Sequence, residues 1–265
     1  MNDLIKKIKA KKVILFVGAG VSATLNLPNW SELMGHIASS LGIDKDVFLM
    51  YGDPLTLAEY YLLEKGAIGP LRSWMDVNWN VNDSEIEKSE IYKGILKLDF
   101  PIIYTTNFDR CLEKAYLINK KDYIKISRVE DICDIDNIKT QIIKLHGDFD
   151  DDDSIVLTES SYFNRMDFES PIDIKLRADI LGKSILFIGY SLSDINIRYL
   201  IYKLNKIWNL SSSVQPYSYL FMTTPNPIQE KVLQSRNIIP IIGSETNATN
   251  SLNKFLKDLS EGVVA

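Results

Sequence analysis

The sequence predicts a Rossmann-like α/β fold, in which a mostly parallel, doubly wound sheet carries a helical insertion at about residues 30–100. An apolar run at 13–17 ends directly in a glycine turn, as the first strand of such a sheet does. After residue 100, strand-like and helix-like segments alternate along the chain. Between these two parts, helical patterns follow one another without a visible strand.

The insertion is recognised by its helix-start signals. Asn29 with Glu32, and later Ser84 with Glu87, have the spacing of capping boxes, and Pro54 opens another predicted helix. A conventional dehydrogenase would return to a second parallel strand within about 30 residues and end it with an acid for the ribose. Because no such strand is visible here, the pattern disfavours a hydride-transfer enzyme.

The elements after residue 100 follow from apolar runs and helix caps. Strands are predicted near 102–105, 123–126, 141–145, 184–189, 217–222 and 238–242. Helices are predicted at 109–117, 171–182, 194–207, 227–236 and 249–259. Pro171 and Pro227 each follow an N-cap candidate, Ser170 and Asn226. No repeat, linker or sharp boundary divides the chain, so we expect residues 1–265 to form a single domain.

Composition restricts the classes of function. The 265 residues carry a formal net charge of −5, which gives no general attraction to nucleic acid or to an anionic membrane. No apolar run approaches the roughly 18 residues that span a bilayer, so we expect a cytoplasmic protein with no membrane partner and no direct nucleic-acid partner.

Residues that often bind metals are present, but without a metal-binding pattern. Cys111 and Cys133 have neither zinc-ligand spacing nor the pattern of a disulfide framework. The acidic run at 150–153 lacks the spaced ligands and the closing glutamate of a calcium loop. We therefore interpret that run as a solvated turn and predict no metal site.

The glycine turn after the first predicted strand is a candidate site for a dinucleotide pyrophosphate. Gly18 can adopt backbone angles that are closed to other residues, and Gly20 has no Cβ to hold a phosphate away from the main chain. Ala19 and Ser22 belong to the same turn, and a serine hydroxyl can bind a phosphate.

A second turn of this kind ends the predicted strand at 184–189. Ser191, two residues after Gly189, is a candidate for binding a phosphate or a ribose. Ser193 or Asp194 is expected to cap the helix that follows.

Asn107 and Asp109 stand where a predicted strand turns into a helix. One interpretation is helix capping, in which a side-chain oxygen accepts from the first amides of the helix. The other is functional: the Asn107 amide both donates and accepts, and so can hold a ribose hydroxyl or a water molecule. Asp109 can face the nicotinamide while it also caps the helix.

His146 is a candidate catalytic residue. It ends an apolar predicted strand and is followed by Gly147, which leaves room for the close approach of a ligand. An imidazole with an ordinary pKa of about 6.5 can accept a proton at neutral pH. The other histidine, His36, lies within a predicted helix and is interpreted as structural.

Together these motifs resemble the sirtuin superfamily, whose order they follow over about residues 13 to 245: the turn at 18–22, Asn107-x-Asp109, His146-Gly147 and Gly189-x-Ser191. The chain departs from sirtuin deacylases because it lacks their four-cysteine zinc module and the usual loop after Ser22. It is more similar to the sirtuin-like domains of bacterial anti-phage systems. That resemblance implies hydrolysis of NAD+ to nicotinamide and ADP-ribose, which depletes NAD+ in the infected cell.

The resemblance also implies a role for each candidate residue. The pyrophosphate is expected at Gly18, Ala19, Gly20 and Ser22, the ribose or attacking water at Asn107, the nicotinamide at Asp109, and the adenosine half at Gly189 and Ser191. His146 is expected to act as general base on a ribose hydroxyl or on water. NAD+ is then the substrate, and the expected chemistry needs no metal.

Two alternatives remain open at this point. One is an NAD-dependent protein deacylase, which needs an open channel for an acyl-lysine. The other is a non-catalytic module that senses NAD+ or ADP-ribose. Release of nicotinamide from NAD+ alone distinguishes the hydrolase from both.

Control of such an activity is expected to act in trans, because a free NAD+ hydrolase would harm its own cell. We expect a homo-oligomer, or a protein partner such as a DNA-translocating ATPase or an argonaute-like protein, as the resemblance implies. Aromatic residues of the insertion are candidate contacts, with packing of the insertion as the alternative for each: Tyr60, Tyr61, Trp74 and Trp79.

Overall fold

The computed structural model describes residues 1–134, 139–167, 169–192, 194–209 and 215–264. The strands are β1 (Val13–Val17), β2 (Ile102–Thr105), β3 (Tyr123–Ile126), β4 (Thr140–Lys144), β5 (Ser184–Ile188), β6 (Ser218–Met222) and β7 (Ile238–Ile242). The helices before β2 are α1 (Asn2–Lys9), α2 (Ala19–Ser22), α3 (Trp30–Ser40), α4 (Lys45–Leu49), α5 (Pro54–Lys65), α6 (Gly69–Asn78), α7 (Asp83–Lys88) and α8 (Glu90–Leu98). Those after β2 are α9 (Cys111–Ile118), α10 (Glu159–Asn164), α11 (Pro171–Leu181), α12 (Ile195–Asn209), α13 (Pro227–Gln234) and α14 (Ala248–Val264).

The strands form one seven-stranded sheet in the order β3-β4-β2-β1-β5-β6-β7. Each neighbouring pair is parallel, and Leu15 in the central strand lies opposite Ile103 on one side and Leu186 on the other. The predicted Rossmann-like, doubly wound sheet is therefore confirmed. The strand order reverses at β1, and ligands bind at such reversals in open α/β sheets.

Helices cover both faces of the sheet, which explains why every residue of the central strands β1 and β5 is buried. Alternate residues of β1 point to opposite faces. Leu15 packs in the core beneath α1, α8, α9 and α14, and Phe16 packs in the core beneath α11 and α12. Within the described residues, no helix is both long enough and apolar enough to cross a membrane.

The predicted insertion is confirmed as the six helices α3 to α8. Asn29 caps α3 in a capping box with Glu32, as predicted, and Asp53 caps α5 ahead of Pro54. The insertion has its own apolar core, which includes Leu33, Ile37, Phe48, Leu57, Leu71 and Met75. Phe108 and Phe149, from the loops after β2 and β4, complete that core, so the insertion packs over the carboxyl ends of those strands.

The second predicted capping box is wrong. Ser84 lies inside α7, which starts one residue earlier at Asp83 after the extended residue Asn82. Ser89 then adopts an extended conformation and divides the predicted helix, so that α8 begins at Glu90. Elsewhere the predicted caps Ser170 and Asn226 do accept from the first turns of α11 and α13. Ser193, one of two cap candidates for α12, lies outside the described residues.

The turn after β4 generates a stability prediction. Gly147 has a φ of +85°, and a Cβ there would lie 2.1 Å from the Ser154 carbonyl oxygen. Gly66 has a similar φ of +71° with nothing within 4 Å of the added Cβ. Gly66→Ala should therefore cost only the left-handed strain of about 1–2 kcal/mol, and Gly147→Ala should cost more. Equal losses in urea unfolding of the two variants would contradict the packing described for this turn.

Candidate active site

A cavity of about 850 Å³ opens at the carboxyl ends of β4, β2, β1 and β5, which are neighbours in the sheet. The predicted site residues that line it are Ala19, Gly20, Ser22, Asn107, Asp109, His146, Gly189 and Ser191. Four separate segments of sequence therefore meet on one cavity at the point where the strand order reverses.

The two glycine turns are joined by backbone hydrogen bonds at the edge of this cavity. The Gly18 amide donates to the Ile188 carbonyl at 3.0 Å, and the Gly20 amide donates to the Gly189 carbonyl at 2.8 Å. A Cβ at Gly18 would lie 2.4 Å from the Gly189 oxygen, and one at Gly20 would lie 2.9 Å from the Gly189 Cα. A glycine is therefore needed at Gly18 for the close approach of the two turns. Gly20 is needed for the same approach, and it also lines the cavity.

A buried hydrogen-bond network fixes Asn107 and Asp109. The Ser22 hydroxyl donates to Asp109 Oδ2 at 2.7 Å and accepts from Asn107 Nδ2 at 3.1 Å. The Asn107 amide N–H donates to Thr105 Oγ1 at 3.0 Å. Asp109 Oδ1 accepts from the Cys111 amide at 3.0 Å, so Asp109 binds the first turn of α9 while its other oxygen faces Ser22.

His146 is buried beside the same cavity, and each of its ring nitrogens lies near one polar group. Its Nε2 lies 3.2 Å from Asp194 Oδ2, and its Nδ1 lies 3.4 Å from the Tyr162 hydroxyl. Burial lowers the pKa of His146 well below its ordinary value of 6.5, and the nearby Arg165 guanidinium acts in the same direction. The ring is therefore neutral at neutral pH and can accept a proton.

Three residues of this region were not predicted as site residues. Tyr162 belongs to α10, a short helix that the sequence pattern did not indicate. Asp194 was predicted only as a helix cap, which it is. Lys144 is fully buried, and its Nζ donates to the Phe108 and Asp109 carbonyls at 2.9 and 2.8 Å. A lysine that directly follows the apolar pair Ile142 and Ile143 was the one available signal for that role.

The acidic run at 150–153 takes part in ion pairs with two arginines. Asp150 lies 2.8 Å from Arg110 and Asp152 lies 2.6 Å from Arg72. Across the part of the chain that the structure describes, no group of three or more His, Cys, Asp or Glu side chains is placed to hold a metal ion.

Three of the four aromatic residues named as contact candidates pack within the chain. Tyr61 is buried in the insertion core, and Trp74 stacks on His36 with ring centroids 3.9 Å apart. Trp79 lines the cavity. Tyr60 is the exception, with 42% of its surface exposed.

A parallel sheet with a ligand-sized cavity at its strand-order reversal defines this chain as a Rossmann-like α/β protein. The chain belongs to the SIR2-like domain family, whose family model matches residues 101–241. The resemblance to the sirtuin superfamily is thereby confirmed. A solved SIR2 homolog–NAD complex has the same fold, with a TM-score of 0.54 over 99% of this chain and 95% of that chain at 10% identity.

Similar proteins include bacterial NAD(+) hydrolases. NAD(+) hydrolase ThsA of Enterococcus faecium is 30% identical over 214 residues, which is 79% of this chain and 43% of that protein. ThsA of Bacillus cereus is 26% identical over 203 residues, or 76% of this chain and 41% of that protein. Defense-associated sirtuin 2 of Bacillus subtilis is 27% identical over 250 residues, or 88% of this chain and 23% of that protein. The chain thus spans less than half the length of these relatives.

The environments of the two histidines predict their titration. Burial lowers the pKa of His36 and lowers that of His146 further. In an NMR titration of the imidazole carbons, the His146 ring should stay neutral at a pH where the His36 ring is already partly protonated. His36→Gln assigns the two signals. A midpoint for His146 at or above 6.5 would contradict the buried environment described here.

Proposed function

We propose that this chain is an NAD+ glycohydrolase that cleaves the nicotinamide–ribose bond with water, releasing nicotinamide and ADP-ribose. The observation that carries the proposal is that His146 and Asn107 line the same cavity, beside the two glycine turns. The similarity to proteins named NAD(+) hydrolase supports the same activity. NAD+ acts as the substrate, and the reaction uses no metal.

The charges of the cavity suit this reaction. Among the described residues that line it, the acidic side chains are Asp109 and Asp194, and none is a lysine or an arginine. Loss of nicotinamide develops positive, oxocarbenium character at the ribose carbon. Carboxylates fixed beside a developing cation, in a site shielded from water, stabilise the transition state more than the ground state.

His146 and Asn107 supply the remaining steps. A water molecule attacks the ribose carbon as the carbon–nitrogen bond breaks, and nicotinamide leaves with the bonding electron pair as a neutral molecule. The neutral imidazole of His146 removes a proton from the water or from a ribose hydroxyl. The side-chain amide of Asn107 donates to Ser22, and its backbone N–H donates to Thr105; held in this way, the side chain positions the ribose or the water.

The similarity to a defence-associated sirtuin supports a role in bacterial defence. We infer that hydrolysis depletes NAD+ in phage-infected cells, in line with the relative named a defence-associated sirtuin. We propose that residues 1–265 act as one cytoplasmic catalytic domain. Control through a homo-oligomer or a partner protein, such as a DNA-translocating ATPase or an argonaute-like protein, belongs to the same proposal. The exposed Tyr60 remains a candidate contact for it.

Loss of the imidazole should abolish most of the activity. In assays of nicotinamide release from NAD+ alone, His146→Gln should lower turnover by about 10²–10⁴-fold, as loss of a general base does. His36→Gln is the matched control, because that ring stacks on Trp74 within the insertion. It should keep the activity of the unsubstituted chain. Equal activity of both variants would remove His146 from the mechanism.

Loss of the Asn107 amide should affect turnover more than binding. We expect Asn107→Ala to lower kcat at least tenfold while the Kd for NAD+ changes little, because the amide acts at the reacting end of the substrate. Asn119→Ala is the control, since that amide only binds the Ala115 carbonyl on α9. A raised KM with unchanged kcat would instead make Asn107 an ordinary binding residue.

A further inference from the structure

The carboxylate of Asp194 lies between the start of α12 and His146, and the Tyr190 hydroxyl also faces it. Oδ1 accepts from the Asn196 and Ile197 amides at 2.9 and 3.2 Å and so caps α12. Oδ2 is left to face His146 Nε2 at 3.2 Å. Because the cap fixes the plane of the carboxylate, the second oxygen is held in place as an acceptor for the imidazole.

This contact determines which imidazole nitrogen carries the proton. An ionised carboxylate only accepts hydrogen bonds, so its neighbour Nε2 carries the hydrogen. Nδ1 then keeps the lone pair and faces the Tyr162 hydroxyl at 3.4 Å, a distance beyond that of a strong hydrogen bond. A substrate hydroxyl or a water molecule can replace this long hydrogen bond and donate to Nδ1.

We propose that Asp194 is the positioning residue of His146: it holds the imidazole in the tautomer with Nδ1 as base and balances the charge of the imidazolium. The proposal rests on the proposed hydrolase function. Nδ1 takes one proton from the attacking water or a ribose hydroxyl, Nε2 keeps its hydrogen on the side of Asp194 Oδ2, and the proton passes to solvent after nicotinamide leaves. A base oriented by a third group in this way is a recurrent catalytic arrangement.

The other groups around the ring make such a counter-charge necessary. The Arg165 guanidinium, although paired with Asp173, disfavours a second positive charge on His146. Tyr162 supplies a neutral hydroxyl. Burial raises the pKa of Asp194, and the amides of Ile197 and Asn196 oppose that shift by binding the charged form. The cap thus helps to keep the carboxylate ionised beside His146.

The Asp194→Asn substitution removes the negative charge beside His146 and keeps the cap of α12. Asparagine caps a helix about as well as aspartate, and it must present its oxygen to the α12 amides to do so. Its NH2 group then faces His146 and donates to Nε2, which forces the hydrogen onto Nδ1. We expect unchanged thermal unfolding and an unchanged Kd for NAD+, with kcat lower by about 10²–10⁴-fold. Asp44→Asn is the control, because Asp44 caps α4 with the same pair of bonds away from the cavity.

Nitrogen NMR of the labelled imidazoles identifies the tautomer of His146 and does not depend on an activity assay. In the unsubstituted chain the neutral His146 ring should carry its hydrogen on Nε2, and in Asp194→Asn it should carry it on Nδ1. A hydrogen on Nδ1 in the unsubstituted chain would overturn the proposal, even if Asp194→Asn fails to fold. A normal kcat in Asp194→Asn would also overturn the proposal. A lower kcat that is accompanied by lower thermal stability and weaker NAD+ binding would overturn it too. If the unsubstituted chain does not hydrolyse NAD+, the proposed function fails, and the tautomer still decides whether Asp194 positions the ring.

Discussion

The geometry of the site depends on the fully buried ammonium of Lys144. An ammonium removed from water costs several kcal/mol unless it is paired and hydrogen-bonded. Here its partners are the carbonyls of Phe108 and Asp109 and the carboxylates of Glu113 and Asp148, the latter two at 3.1 and 3.5 Å. Because Lys144 ends β4 and these carbonyls follow β2, one ion ties together the two loops that carry His146 and Asn107.

Charged pairs continue outward from this centre to the insertion. Asp148 also pairs with Lys125 at 2.7 Å, and Arg110 joins Asp150 to Asp76 of α6. The outer pairs are more exposed and contribute less than the buried one, but they extend the same connection. The insertion lies over the strand ends, and its Trp79 lines the cavity. Because the insertion covers the cavity, His146 is buried, and burial keeps its ring neutral.

Local pattern was sufficient to predict most of the fold. Apolar runs and proline-opened helices are set by neighbouring residues, so all seven strands and the helical insertion were anticipated. The break between α7 and α8 was not, because the extended backbone of Ser89 has no distinct local signal. In the site, Asn107 and His146 stand at strand ends where ligands are expected. Asp148 is close to Lys144 in sequence, but Glu113 is 31 residues away, and Asp194 is 48 residues from His146. No local pattern encodes these two long-range contacts.

The central claim is that the cavity binds NAD+ with its reacting end between Asn107 and His146. The most direct test is a crystal structure of His146→Gln with NAD+ bound, since this variant should retain the substrate uncleaved. The account predicts the nicotinamide ribose beside Asn107 and position 146, the pyrophosphate at the Gly20 turn, and the adenosine half at the Gly189 turn. NAD+ bound outside this cavity, or bound with its adenine beside Asn107, would contradict it.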